Sequence, residues 1–140
     1  MMDDIRKEED IPEKQPSMSS EQNMKTILIA EDIETNYHLL KVILSKKYNL
    51  LRAVNGSEAV NLFIEHKPDL ILMDIKMPIM NGLDATREIR KISNDVVIIA
   101  QTANAFESDV ELAKDAGCND FITKPIRHKD LLAIIEKHLI

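Results

Sequence analysis

Short apolar runs alternate along this chain with longer segments whose apolar residues recur at helical spacing. The apolar runs cover residues 27–30, 50–54, 69–74, 96–100 and 120–123. Runs of this length, bounded by turn residues, are typical of strands that a parallel sheet buries on both faces. The alternation of five such strands with five helices predicts a doubly wound α/β domain, whose strands are joined by right-handed crossovers.

The helices are predicted from capping residues and apolar faces. Thr35 or Asn36 is a candidate N-cap of the first helix and Ser57 of the second. The second helix should end near Lys67, because a residue before proline disfavours helical backbone. The other helices are predicted over residues 83–91, 106–116 and 127–138, with Gly117 as the C-terminal cap of the fourth. Four residues share the apolar face of the first helix: Leu39, Leu40, Ile43 and Leu44.

Composition indicates a soluble protein of the cytoplasm. The 140 residues carry a net charge of −6, with 44% hydrophobic and 30% charged residues, which fits one domain. No basic cluster suggests direct nucleic-acid binding, and no apolar run approaches the roughly 18 residues of a membrane span. The acidic N-terminus lacks a signal-peptide core. Cys118 is the single cysteine, so neither an internal disulfide nor a cysteine-based metal site is expected.

The first 24 residues differ in composition from the rest of the chain. They contain seven acids, three bases, two prolines and three serines, and no aromatic residue. Such a segment cannot bury enough apolar surface to offset the entropy lost on ordering. We therefore expect residues 1–24 to form a linker or disordered tail, and residues 25–140 to form the folded domain.

Asp74 follows an apolar run directly and precedes a proline-containing loop, so it should lie at the carboxyl end of the third strand. Ligands bind at that edge of an open α/β sheet. The ends of the first, fourth and fifth strands deliver Glu31, Asp32, Thr102 and Lys124 to the same edge. Three clustered carboxylates repel one another strongly, and a set of oxygen ligands suits a hard cation, above all Mg²⁺.

The same residues predict phosphoryl chemistry. A divalent ion, the Lys124 ammonium and the Thr102 hydroxyl around one carboxylate would form an electrostatic clamp for a phosphoryl group. Asp74 could then be the nucleophile that forms an aspartyl-phosphate. Taken singly, each feature is common in strand ends and turns, and only their coincidence at equivalent strand ends favours function.

Residues 25–140 resemble a receiver domain, the response-regulator module of two-component signalling. The resemblance rests on an ordered set of motifs: the pair Glu31-Asp32, the stretch Met73-Asp74-Ile75-Lys76-Met77-Pro78, Asn81-Gly82, Thr102-Ala103, Gly117 and Lys124-Pro125. It implies a flavodoxin-like fold, a five-stranded parallel sheet in the order 2-1-3-4-5 with five helices. Residues 83–90 and 102–105 are most similar to receivers of hybrid sensor histidine kinases.

The resemblance also implies the role of each residue. Asp74 would accept the phosphoryl group, Lys124 would pair with it and Thr102 would donate a hydrogen bond to it. Asp32, Asp74 and the Lys76 backbone carbonyl would bind Mg²⁺, and Glu31 would hold a metal-bound water.

Three further expectations concern residues around this site. Pro125 would follow a cis peptide bond. Phe121 occupies the position of an aromatic switch that acts with Thr102, and it has no hydroxyl, so the switch would act through packing. Lys76 and Asn104 would border the path of the hydrolytic water and so tune the lifetime of the phosphorylated state.

The partner expected from the resemblance is a histidine kinase or a histidine phosphotransfer domain, with self-association as a further use of the helix 4–strand 5–helix 5 face. No direct contact with nucleic acid or membrane is expected. The expected chemistry is limited to self-phosphorylation and autodephosphorylation, so the sequence does not decide whether the protein counts as an enzyme. It also leaves open whether the domain is a separate protein or part of a hybrid kinase.

Two alternatives come from other functional classes. A Mg²⁺-dependent phosphatase with an Asp nucleophile would usually have an acid two residues after the nucleophile, where this chain has Lys76. A protein-interaction module that is never phosphorylated would not need the acidic pair, Thr102 and Lys124 together.

Overall fold

The computed structural model describes residues 24–103 and 107–139, and within them the predicted alternation of strands and helices is present. Residues 1–23 of the expected tail lie outside the described residues. The strands are β1 (Thr26–Ala30), β2 (Asn49–Ala53), β3 (Leu70–Asp74), β4 (Val97–Thr102) and β5 (Asp120–Thr123). The helices are α1 (Glu34–Leu44), α2 (Gly56–His66), α3 (Gly82–Ile92), α4 (Glu107–Ala116) and α5 (His128–Leu139).

The five strands form one parallel sheet in the order β2-β1-β3-β4-β5, which confirms the predicted order 2-1-3-4-5. β3 lies at the centre and is buried at every position, as expected for a strand covered on both faces. Because all strands run the same way, their carboxyl ends meet at a single edge. In the register, Ala30 lies beside Met73, and Asp74 lies beside Gln101.

Alternate side chains of each strand enter two separate hydrophobic cores. One core packs Leu28, Ile71 and Ile98 against the helices α2 and α3. The other packs a second set of strand residues against the helices α1 and α5, and it includes Ile29, Leu72, Ile99, Ile122, Leu40 and Leu131. Truncating a fully buried leucine or isoleucine of this kind to alanine costs about 2–5 kcal/mol. Packing on both faces of the sheet therefore fixes the position of each strand end along the edge where the candidate residues lie.

The predicted N-caps of the first two helices are wrong. Thr35 and Asn36 lie inside α1, whose N-cap is Ile33, with no side-chain capping bond among the described residues. The cap of α2 is Asn55, not Ser57, because Asn55 Oδ1 accepts a hydrogen bond from the Glu58 N–H at 2.8 Å. Glu58 in turn accepts from the Val54 N–H, one residue before the cap, so its side chain also holds the chain segment that enters α2.

The apolar face predicted for α1 is too wide. Leu40 and Leu44 are buried, whereas Leu39 is 48% exposed and Ile43 is only partly buried.

The cap predicted for α4 is correct: Gly117 has a φ of +116°, a conformation that residues with a Cβ rarely adopt. Among residues 24–103 and 107–139, no helix has the length and apolarity needed to span a membrane.

Candidate functional site

Glu31, Asp32 and Asp74 each place a carboxylate oxygen within 4.8 Å of the others. Glu31 and Asp32 directly follow β1, and Asp74 ends the neighbouring strand β3, so the parallel sheet brings the three acids to one edge. Glu31 is fully buried and Asp74 is 4% exposed. This is the acidic cluster that the sequence predicted at the carboxyl ends of the strands.

Lys124 lies between two of these acids. Its Nζ donates hydrogen bonds to Asp74 Oδ2 at 2.9 Å and to Glu31 Oε1 at 3.3 Å. Burial lowers the pKa of Lys124, but the hydrogen bonds and charges of Asp74 and Glu31 more than offset this and raise it overall. The ammonium therefore stays charged at neutral pH. The residue follows β5, and the Lys124–Pro125 peptide bond is cis.

Glu31 is the most deeply buried of the three acids at the sheet edge. Burial raises the pKa of its carboxyl group, and the charge of Asp74 raises it further. The Ile33 N–H, which donates to Glu31 Oε2 at 3.1 Å, and the Lys124 ammonium act in the opposite direction. The net effect is a raised pKa, because the two donors only partly offset burial and the charge of Asp74.

Asp32 has the feature expected of a metal ligand. Its Oδ1 atom is buried and has no hydrogen-bond partner in the part of the chain that the structure describes. Leaving such an oxygen without a partner is costly, and a cation would satisfy it. Three carboxylates of this kind fit a hard cation that prefers oxygen ligands.

The loop after β3 is held tightly against the site by two glycines. The Gly82 N–H donates to Ile75 O at 2.9 Å, and the Gly56 N–H donates to Met80 O at 2.8 Å. A Cβ on Gly82 would collide with the backbone oxygen of Asp74, so only glycine permits this approach. The turn also aims the Lys76 N–H at Asp74 Oδ1, at 3.1 Å, while the Lys76 side chain is exposed.

A cavity of about 250 Å³ opens beside Asp74, and Lys76, Thr102 and Lys124 line it as predicted. Thr102 ends β4 and is 3% exposed. Phe121 does not line this cavity; alternation along β5 places it on the sheet face opposite Ile122, which packs against α1 and α5. Asn104, the second residue predicted to tune hydrolysis, lies outside the described residues.

Comparison with known proteins identifies the domain. Residues 27–136 match the response regulator receiver domain. The chain belongs to this family. Its members are the phosphoacceptor signalling domains of two-component systems, so the receiver fold and role predicted from the sequence are confirmed.

Three relatives illustrate the range of proteins in which similar receivers occur. The receiver is 37% identical over 118 residues to the polar-differentiation response regulator DivK of Brucella anthropi, covering 82% of this chain and 96% of that protein. It is 34% identical to the receiver domain of sensor histidine kinase PA1611 of Pseudomonas aeruginosa, solved with a magnesium ion in its active-site cleft (TM-score 0.75; 82% and 97% of the two chains). It is also 34% identical to the Saccharomyces cerevisiae Ssk1 receiver, solved with the histidine phosphotransfer protein Ypd1 (TM-score 0.74; 82% and 86%).

Arg52 supports this receiver's acidic loop and was not predicted from the sequence. From strand β2 its guanidinium donates to the backbone oxygens of Glu31 at 3.2 Å and Asp32 at 3.4 Å. It also pairs with Glu34 at 2.6 Å and lies 4.5 Å from the ring centre of Tyr37. The sequence offered one indication of this role: Arg52 is the single charged residue in the apolar run 50–54, and a charge in a partly buried strand needs polar partners.

Gln101 was also missed. It is 1% exposed, and neither its Oε1 nor its Nε2 finds a hydrogen-bond partner among residues 24–103 and 107–139. One indication of it was present in the sequence: Gln101 is a single amide residue between the apolar run of β4 and Thr102. The receiver therefore has a further polar group at the buried edge of the sheet, beside the acids and the lysine.

Proposed function

We propose that Asp74 is the phosphoacceptor of this receiver and that it takes its phosphoryl group from the phosphohistidine of a partner. The observation that carries the proposal is the position of Asp74 Oδ2, 2.9 Å from the Lys124 ammonium and within the acidic cluster. A carboxylate that is otherwise buried is thereby kept beside a fixed positive charge, at the mouth of a cavity large enough for a phosphoryl group.

The transfer is a displacement at phosphorus. A carboxylate oxygen of Asp74 forms the new bond to phosphorus, the phosphorus–nitrogen bond of the phosphohistidine breaks, and the leaving imidazole takes up a proton. In hydrolysis a water molecule attacks the same phosphorus, releases inorganic phosphate and restores the carboxylate. Lys124 and Thr102 donate to the phosphoryl oxygens, where negative charge develops. Lys76 and Asn104 tune how readily water reaches the phosphorus.

Mg²⁺ is the proposed cofactor. Asp32, Asp74 and the Lys76 backbone carbonyl would hold it, and Glu31 would act through a bound water. When bound, the ion would neutralise the clustered carboxylates and the charge of the incoming phosphoryl group. The unpartnered Asp32 oxygen supports this assignment, as does the magnesium ion described for the PA1611 receiver.

The proposed partner is a histidine kinase or a histidine phosphotransfer domain, and the Ypd1–Ssk1 complex of a similar receiver supports it. Phosphorylation would be read out through Thr102 and through repacking of Phe121, with the α4–β5–α5 face as the surface for a downstream partner or for self-association. A cytoplasmic location and a linker role for residues 1–24 belong to the same proposal.

The proposal is tested by the stoichiometry of phosphorylation. Incubation with an acyl-phosphate donor or a phosphorylated histidine phosphotransfer domain, with Mg²⁺, should give at most one phosphoryl group per chain, labile to hydroxylamine. Chelation of Mg²⁺ should abolish it. Continuing turnover of a phosphomonoester, with the acyl-phosphate formed only as a transient intermediate, would contradict the proposal and favour the phosphatase with an Asp nucleophile.

A further inference from the structure

Four polar residues continue the α1–α5 face of the sheet past its apolar core. Ile29, Leu72, Ile99 and Ile122 belong to the core beneath α1 and α5. Because side chains alternate along a strand, the residues two positions further on lie on the same face. Within the strands these residues are Asp74 and Gln101. Glu31 and Lys124 stand at the equivalent positions directly after β1 and β5, and the hydrogen bonds of Lys124 Nζ join them to Asp74. Gln101 is thus a member of the layer that holds the phosphoacceptor.

The Lys124 side chain must cross the end of β4 to reach its partners. It begins at the end of β5, and its Nζ lies beside carboxylates that follow β3 and β1. β4 lies between β5 and β3 in the sheet. Gln101 occupies that crossing point, and the two residues line the same cavities, one of which also contains Glu31.

The Gln101 amide has unused hydrogen-bonding capacity and adjoining space in which it can move. Its donor and its acceptor are unpaired among the described residues, although the side chain is 1% exposed. A buried amide without partners is costly, so its retention needs an explanation. A cavity of about 100 Å³, lined by Gln101, Glu31 and Lys124, adjoins it and gives the amide space to rotate.

Phosphorylation would deprive Glu31 of a donor. In this structure Lys124 is the donor found for Glu31 Oε1 in the described part of the chain. Under the proposed function, on which this inference rests, Lys124 turns toward the phosphoryl oxygens. Glu31 is fully buried, and its Oε1 would then lose the ammonium and depend on the metal-bound water that the proposed function assigns to Glu31. Gln101 is the amide nearest along the layer that could replace the ammonium.

We propose that Gln101 is a positioning residue for the phosphorylated state: its Nε2–H takes over the bond to Glu31 Oε1, and its Oε1 accepts from the relocated Lys124. Before phosphorylation the amide is buried without hydrogen bonds to the described part of the chain and lowers the stability of the fold. After phosphorylation it forms two hydrogen bonds and stabilises the site. Replacing it with an apolar residue of similar shape should therefore harm only the phosphorylated state.

The test is binding of beryllofluoride, which mimics a phosphoryl group on a carboxylate, at constant Mg²⁺. For Gln101→Met we expect the half-saturating beryllofluoride concentration to rise about tenfold, the value of roughly one lost hydrogen bond to a charged group. Without beryllofluoride its melting temperature should equal or exceed that of wild type. Gln101→Asn, which keeps the amide, should recover part of the affinity.

Ile99→Val is the matched control, because it loosens packing on the same face of β4 and removes no hydrogen bond. It should lower the melting temperature and leave beryllofluoride affinity unchanged. If Gln101→Met binds beryllofluoride as tightly as wild type, or loses affinity only in proportion to its melting temperature, Gln101 has no such role. If wild type binds no beryllofluoride at all, the proposed function fails, and this inference fails with it.

Discussion

Lys124 Nζ lies 2.9 Å from Asp74 Oδ2, so the residue expected to pair with a phosphoryl group already pairs with the carboxylate that would carry it. The ammonium therefore lies where Mg²⁺ and a phosphoryl group would both approach Asp74, and it neutralises part of the negative charge there. Its second bond, to the buried Glu31, ties it to the inner side of the site. Any cation that enters must compete with a fixed positive charge a few ångströms away.

Lys124→Met should separate these effects. Removing the ammonium should tighten Mg²⁺ binding a few-fold, since the repulsion between the two cations is lost. The rate of phosphorylation should fall by about a hundredfold, the usual cost of deleting one donor to developing charge. Calorimetric Mg²⁺ titration and a time course with a small phosphodonor measure the two. Lys46→Met, an exposed lysine beyond the end of α1, is the control. Unchanged affinity and rate in Lys124→Met would contradict the assigned role.

Mg²⁺ should stabilise the fold through Asp32. A ligand that binds only the native state stabilises it by about 2.7 kcal/mol at a concentration one hundred times its Kd. The melting temperature of wild type should therefore rise by several degrees with Mg²⁺, and the rise should shrink in Asp32→Asn. Asp84→Asn, which removes a carboxylate from the exposed first turn of α3, should retain the full rise. An equal rise in all three proteins would point to ionic strength alone.

Lys76 tests whether an exposed side chain protects the phosphoryl group. Its N–H contacts Asp74, and the exposed residue lines the cavity, so that its side chain could fold over the bound anion and crowd the attacking water. We expect Lys76→Ala to shorten the aspartyl-phosphate lifetime a few-fold, since about 1.4 kcal/mol corresponds to tenfold in rate. Mg²⁺ affinity should not change, because only the backbone carbonyl of Lys76 is assigned to the ion. A lifetime equal to or longer than that of wild type would rule out protection by this side chain.

Acid stability should depend on Asp120, at the start of β5 and remote from the site. His138 Nε2 lies 2.9 Å from its Oδ2, and Lys137 Nζ lies 3.3 Å away. Partial burial raises the pKa of Asp120, but the bonds from His138, the Phe121 N–H and Lys137 outweigh it and lower the pKa. A lowered folded pKa gives stability that is present above the unfolded value of about 3.9 and is lost as pH falls through the folded value.

Asp120→Asn should therefore be less stable than wild type at about pH 5, by on the order of 1 kcal/mol, and the difference should shrink as the pH falls below the unfolded value of about 3.9. Urea unfolding at a series of pH values measures it. Asp115→Asn, on the exposed surface of α4, controls for the loss of one negative charge. A difference that stays constant or widens on acidification would show that the Asp120 pairing does not contribute.

The sequence predicted the residues at the strand ends that form the site better than the N-caps of the first two helices, for physical reasons. Buried parallel strands read as continuous apolar runs, so the positions of Asp74 and Lys124 could be inferred, and parallel strands bring them to one edge. Capping depends on which of several competent side chains reaches a free N–H: Asn55 and Ser57 both qualify by residue type, and geometry selected Asn55. The amide of Gln101 is visible in the sequence at the end of an apolar run, but its importance is not, because it depends on a lack of hydrogen-bond partners, in the described part of the chain, that only packing reveals.

The most direct test of the central claim is the intact mass of wild type and Asp74→Asn after incubation with an acyl-phosphate donor and Mg²⁺. Asp74 is the buried carboxylate that Lys124 contacts most closely, and Asp84→Asn supplies the matched loss of an exposed carboxylate. Wild type and Asp84→Asn should each gain the mass of one phosphoryl group, and Asp74→Asn should gain none. An Asp74→Asn protein that is phosphorylated as fully as wild type would show that the phosphoacceptor lies elsewhere.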